Sequence, residues 1–300
     1  MTARAWGALA TLYVVWGSTY LGIMLAIRTM PPFLMSSARF LVAGGFLFAL
    51  SPRRRASLRA WAAALVAGGA LLTIGNGGIT WAEQRVDSGT AALLVATMPL
   101  WLGLFDRVAF GRRLSAAGWI GLVVGLGGVA LLVSPGGGGT DLFGGLACVG
   151  CAAAWAAGSL YARHAPLPSQ PGLASGMEML AGGVLLGVAG LAAGEAGDVR
   201  LSQVSAESLL ALVYLVVVGS IVAFSCFHWL LRNAPTPIVS TYAYVNPVVA
   251  VLLGAAFLGE PLTLRTLVAG AAIVASVVLI VGGRVRLPRL RAALPARGTA

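Results

Sequence analysis

Lysine is absent from this chain, histidine occurs twice, cysteine three times, and only nine of the 300 residues are acidic. Each shortage excludes something. With no H-E-x-x-H or G-x-S-x-G, no carboxylates paired at metal-binding spacing, and only His164 and His228, the common hydrolytic and metal chemistries have no residues to use. Three cysteines cannot build a disulfide framework. Cys148 and Cys151 form a C-x-x-C inside an apolar stretch, where the spacing places them on one helix face without acidic or His partners, so packing explains them. No cofactor and no metal site is expected. Charged residues make up 10% of the chain, too few for the surface of a soluble domain of this size.

What replaces charge is hydrocarbon: 59% of residues are apolar. Crossing ~30 Å of bilayer core takes roughly 17 to 25 such residues as a helix. Ten stretches qualify, at approximately 5 to 27, 33 to 50, 60 to 82, 88 to 105 (or on to Phe110), 115 to 133, 143 to 162, 172 to 193, 207 to 230, 237 to 258 and 264 to 283. The runs are continuous rather than alternating, which predicts an all-α polytopic membrane protein and not a barrel. Forty-one glycines suit such a bundle by letting backbones approach.

A net charge of +11 could suggest nucleic acid, but the arginines argue otherwise. With the N-terminus cytoplasmic, the inner segments hold fifteen: Arg4, Arg53, Arg54, Arg55, Arg59, Arg107, Arg112, Arg113, Arg163, Arg232, Arg284, Arg286, Arg289, Arg291 and Arg297. The outer loops hold four, Arg28, Arg85, Arg200 and Arg265, and Arg39 lies within a span. This is the positive-inside distribution, with both termini cytoplasmic and the bilayer, not nucleic acid, as the partner of the charge. The small-residue pattern near Ala8 falls inside the first apolar run, so that run is expected to be a retained helix rather than a cleaved signal. Residues 284–300 read as a short basic tail.

The chain also resembles itself. A shift of 139 places Trp16 on Trp155, Pro32 on Pro171 and Arg39 on Glu178; a shift of 148 places Trp81 on Trp229, Pro99 on Pro247 and Gly111 on Gly259. Rare residues matching in order indicate duplication, with a first five-helix repeat at 1–140 and a second at 141–283. Five crossings per copy invert the second copy, an arrangement that many secondary transporters use around a central cavity.

Polar residues inside the spans are the candidate site, because each is costly in hydrocarbon unless something offsets it. Arg39 and Glu178 each follow their repeat's Pro by seven residues, about 10 Å inside opposite interfaces. They are therefore expected to line different levels of one pathway rather than to pair; snorkelling to the interface is the structural alternative for both. Trp16, Ser18 and Tyr20 interrupt the first span, and Trp155 answers from the sixth. Asn76 lies between glycines in the third, matched by Ser220, Ser225 and His228 in the eighth. Tyr242, Tyr244 and Asn246 follow Ser240 in the ninth, and Trp101 lies beyond Thr97 in the fourth. These groups can fix a ligand's polar atoms and offer ring faces. For single Ser and Thr residues, bonding to their own helix is the competing role. Asn76 and Asn246 are not expected to satisfy themselves within a helix. Pro99 and Pro247 free mid-membrane carbonyls and are candidate gating kinks.

Several of these motifs resemble one family: Trp16-Gly17-Ser18-Thr19-Tyr20, the Pro31-Pro32 pair followed by Arg39-Phe40, the glycines around Asn76 leading to Ala82-Glu83-Gln84, the Tyr-x-x-Pro ending at Pro247, and Gly259-Glu260-Pro261-Leu262. In that order, over essentially the whole chain, they resemble EamA-type transporters of the drug/metabolite transporter superfamily. The resemblance implies ten helices in two inverted halves around a central cavity. It implies a bacterial inner-membrane exporter of amino acids, aromatic ones included, or of similar small metabolites, working by alternating access without an obligate protein partner. The first half departs from the motif where Gly111-Arg112 stands for Gly-Glu. A phosphorylated-sugar exchanger would need more cavity cations than Arg39; a multidrug or cationic-compound exporter stays open through Glu178. A membrane-embedded enzyme lacks its motifs, and a scaffold would not need polar clusters matched in both halves.

Overall fold

In a computed structural model of the chain, residues 2–51, 56–111, 115–133, 141–234, 236–239 and 241–282 are described. The basic clusters Arg53–Arg55 and Arg112–Arg113, Ser240 and the tail 284–300 lie outside them. The described chain is helical, with α1 at Ala3–Ala26, α2 at Pro32–Leu50, α3 at Leu58–Ala82, α4 at Ser88–Phe110, α5 at Ala116–Val133, α6 at Leu142–His164, α7 at Pro171–Ala192, α8 at 206–233, α9 at Tyr242–Leu258 and α10 at Leu264–Gly282. Eight of these, α1 to α8, are long and apolar enough to cross a membrane by length and composition; the apolar stretches of α9 and α10 are shorter. The fourth helix does run on to Phe110.

Local signals set the starts. The side chains of Thr2, Ser57, Asp141 and Ser205 accept from the first free amides of α1, α3, α6 and α8. Pro32 and Pro171 begin α2 and α7, where a missing N–H costs nothing. Large apolar side chains such as Val42, Leu65, Leu126, Val188 and Leu210 face outward. A belt of this kind suits contact with lipid.

Among the described residues four helices are irregular inside their spans, α9 closing with a π-helical turn over Gly254–Leu258. α3 widens into a π-helix over Gly69–Gly77, and α8 does so over Leu215–Val222, in the two helices that the internal shift equates. α4 breaks at Ala96–Thr97, and Pro99 stands in the first turn of the segment that follows. Pro99 is therefore a restart rather than a kink within a helix. Its partner Pro247 does lie inside a helix. Gly111 and Gly259, also matched, end α4 and α9 at φ 66° and 68°, a left-handed conformation in which a Cβ would be strained.

The packing has the same two-fold character. α2 lies along α7, and α5 along α10. α4 also lies along α9, and further contacts come in pairs: α1 on α9 with α6 on α4, α1 on α8 with α6 on α3, and α2 on α8 with α7 on α3. Glycines set the closest approaches. A Cβ on Gly44 would stand 2.7 Å from Met179 Cβ, and one on Gly68 would stand 2.4 Å from the backbone oxygen of Glu178.

One end of the bundle is laced by polar contacts between residues 2–133 and residues 141–282. Glu195 accepts from the amides of Phe33 and Leu34 at 3.1 and 2.9 Å, capping α2. Glu260 accepts from Ser88 and Gly89 at 2.7 and 3.0 Å, capping α4. Arg28 bonds Glu207 at 3.2 Å, and Ser208 donates to the Leu25 carbonyl at 2.8 Å. Each carboxylate cap also opposes the positive end of a helix dipole. Since a hydrogen bond to a charged group is worth about 1.5–3 kcal/mol, Glu260→Ala is expected to destabilise the protein by about that amount. A thermal melt in detergent checks it, with Gln203→Ala, at an exposed position, expected to melt as the parent does.

Candidate functional site

Between the helices lies a cavity of about 370 Å³. Its walls come from α1 to α4 and α6 to α9. It is displaced away from the laced end: the lining includes Ala162 near the end of α6, Ser175 and Glu178 in the first two turns of α7, and Tyr242 at the start of α9.

The aromatic wall centres on Trp16. Its ring stands 5.5 Å from Phe224, 5.2 Å from Phe227 and 5.1 Å from Tyr242, with edge-on or tilted geometry that leaves no parallel stack. Trp155, the repeat partner of Trp16, lines the cavity from α6, and Tyr20 lies one turn beyond Trp16 on the same face.

Arg39 is the buried cation. Its residue is 3% exposed, Nε donates to Ser220 Oγ at 3.0 Å, and the guanidinium lies 4.9 Å from the Phe40 ring centroid. Nη1 is buried with no acceptor among the described residues. Ser220 belongs to the π-segment of α8, so widening that helix accompanies the polar contact to α2. Glu178 lines the same cavity from α7, and among the described residues it forms no ion pair with Arg39. Asn76, in the π-segment of α3, lines the cavity with its Oδ1 buried and without a donor among the described residues.

Asn246 departs from expectation. With its amide nitrogen turned toward the carbonyls, it donates to Tyr242 O at 3.1 Å within its own helix and to Tyr13 O at 3.3 Å. A carbonyl has two lone pairs, so a first-turn oxygen can take a side-chain donor as well as a backbone one. Asn246 thus holds α9 to α1 while lining the cavity.

The structure brings Trp16, Tyr20, Arg39, Asn76, Pro99, Trp155, Glu178, Tyr242, Asn246 and Pro247 to one cavity and leaves other candidates outside it. Ser18 bonds the Tyr214 hydroxyl at 2.5 Å and the Val15 carbonyl at 2.9 Å, which fixes it between α1 and α8. Trp101 packs with Phe105, ring centroids 6.1 Å apart, and Tyr244 packs beside Leu100 and Val277. His228 lies on α8, and its side chain is outside the described residues. Ser225 bonds its own helix at Ile221 O, 2.7 Å away. Cys148 is buried in the core with Ala82 and Leu93. Sequence reasoning missed Phe224 and Phe227, which flank the flagged Ser225. It also passed over Glu83, taken only as part of a motif, although that acid is 2% exposed with both carboxylate oxygens lacking a donor among the described residues.

Comparison with known proteins gives these features a context. The EamA-like transporter family matches twice, over residues 5–134 and 142–282. The chain is 40% identical over 287 residues to the Escherichia coli K12 "Uncharacterized inner membrane transporter YedA", covering 94% of this chain and 92% of that protein. It is 25% identical over 303 residues to the Salmonella typhimurium "Probable amino-acid metabolite efflux pump", covering 95% and 97%. A protein of known crystal structure shares the fold with a TM-score of 0.61 at 21% identity, covering 93% of this chain and 96% of that one. A double family match across the described helices, with a relative at 40% identity, settles the assignment: the chain belongs to the EamA-like transporter family and is a multi-pass membrane transporter.

Proposed function

We propose that this transporter exports amino acids, aromatic ones included, or closely related small metabolites, from the cytoplasm across a bacterial inner membrane. The observation that carries the reading is the cavity's composition: among the described residues, one buried guanidinium with an unused N–H, one carboxylate, two amides and a four-ring aromatic wall in about 370 Å³. The volume falls in the range of small-molecule sites. A free amino acid offers a carboxylate for Arg39, an ammonium for Glu178 and a side chain for the rings. The metabolite-efflux name of the Salmonella relative agrees with this chemistry.

Two inverted five-helix repeats, 1–140 and 141–283, with the basic tail 284–300 and both termini cytoplasmic, provide the mechanism. The exchange-symmetric packing, the matched π-segments of α3 and α8 and the double family match support the duplication. With the arginine-rich segments taken as cytoplasmic, the laced end faces outside in this proposal. The cavity then lies toward the cytoplasm, and release of the Glu195 and Glu260 caps accompanies the opposite state. Pro99 and Pro247, which both line the cavity, are where the helices give.

The test is transport into and out of liposomes with a panel of labelled amino acids; no flux with any of them ends the reading. Within it, Trp16→Ala is expected to weaken phenylalanine transport about tenfold while changing alanine transport little, since the lost contact is aromatic. Competition between the two substrates measures this. A multidrug or cationic-compound exporter is the second reading, favoured by a cavity that holds both Glu178 and aromatic rings. Saturable flux of a lipophilic cation such as ethidium, lost in Glu178→Gln and kept in Arg39→Gln, would select it.

A further inference from the structure

Glu83 has no part in the proposed substrate binding, and among the described residues it is a buried acid whose two oxygens both lack a donor. It is the first residue beyond the α3 span and is 2% exposed. An ionised carboxylate buried without donors is among the costliest groups a protein can hold. Its charged and titratable neighbours come from four directions: Tyr20 on α1, Arg39 on α2, Cys148 on α6 and Glu260 in the turn before α10. Burial, and after it the Glu260 carboxylate, push its acid well above the ordinary carboxylate range, while Arg39 pulls the other way. Arg39 feels Glu83 without a contact as short as an ion pair, and both groups keep an unsatisfied polar atom.

We propose that Glu83 is a proton-binding site whose occupancy is set by whether Arg39 is engaged by an anionic group in the cavity. Two residues, Arg39 and Tyr20, carry the linkage, because both sense Glu83 electrostatically and both line the cavity. With the cavity empty, the guanidinium is the counter-charge available to an ionised Glu83. A ligand carboxylate on Nη1 neutralises that charge, and the acid form of Glu83 becomes the more favourable one. The step balances simply: a proton from water joins a carboxylate oxygen through that oxygen's own electron pair, and on ligand release the O–H bond breaks and the proton returns to water. Gln84 and Arg85, the next two residues, are exposed, so the path from Glu83 to the laced end is short. Linkage is reciprocal, so a carboxylate ligand and the proton strengthen each other's binding.

The inference rests on Arg39 as the cavity's anion-binding group, and two measurements on the full-length protein keep the two readings separable. The first needs no ligand. Infrared difference spectra recorded while pH is raised should show loss of a carboxylic-acid carbonyl band that is absent in Glu83→Gln and displaced in Glu83→Asp. In Arg39→Gln the same loss should move to higher pH, because the opposing cation is gone. The second uses phenylalanine as the probe, with a pH indicator in weakly buffered solution. The parent should take up protons on mixing and Glu83→Gln should not. A titrating band that persists in Glu83→Gln, or a parent with no such band, overturns the proposal, as does phenylalanine binding with equal proton uptake in both. Should phenylalanine fail to bind at all, the substrate class falls and the infrared result still decides Glu83. Glu83→Asp provides the folded comparison if the Gln variant elutes as aggregate.

Discussion

Arg39→Gln is expected to lower transport of a labelled aromatic amino acid by roughly tenfold to a hundredfold, the equivalent of one charge-assisted hydrogen bond at about 1.5–3 kcal/mol. The residue is 3% exposed, and its Nη1 has no acceptor among the described residues. Removing the guanidinium removes the cation that, among the described residues, shares the cavity with Glu178. Lysine should not restore it. The Nε bond to Ser220 and the free Nη1 belong to one planar fork, and an ammonium cannot occupy both places. Counterflow in liposomes measures the effect, and full flux in Arg39→Gln would remove Arg39 from substrate binding.

Gly68→Leu is expected to prevent stable assembly, at a cost of roughly 3 kcal/mol or more. A Cβ at this position would come within 2.4 Å of the backbone oxygen of Glu178 and 3.0 Å of the Gly182 amide. Backbone atoms cannot rotate aside, so α3 and α7 would have to separate, and the cavity wall that carries Glu178 would move with them. Gly45→Leu makes the control: a Cβ there meets nothing within 4 Å. The first variant should elute as aggregate or melt far below the parent; the second should elute and melt as the parent does. Equal behaviour of both would mean that glycine packing between α3 and α7 is not what holds the halves together.

Some features were legible in the sequence because they are local or compositional. The long apolar runs mark the helices, since hydrocarbon length sets the number of residues needed. Pro32 and Pro171, matched by the internal shift, stand at the starts of α2 and α7, where a missing N–H costs nothing. The internal matches were legible too, and Trp16 and Trp155, like Pro99 and Pro247, do face one cavity.

The aromatic and polar assignments were only partly legible. Ser18, Trp101 and Tyr244 sit in the same segments as true lining residues, yet they are used to join helices. Periodicity along a regular helix predicts which residues share a face, but a π-turn inserts a residue and rotates everything beyond it by about 100°. Such segments lie in α3, in α8 and at the end of α9, and a break interrupts α4. That is why Ser220 reaches Arg39 and why Phe224 and Phe227 reach Trp16.

By itself, then, the sequence determined the apolar helices and the family, because each depends on hydrophobicity, chain length or residues adjacent in order. Only the tertiary structure decided which polar groups are satisfied. Glu195 and Glu260 find free helix amides across the interface, Arg39 finds Ser220 with one N–H to spare, and Glu83 finds no donor among the described residues. The physical reason is that a buried polar atom's free energy is set by a partner about 3 Å away, and these partners lie 162 to 181 residues distant in the chain.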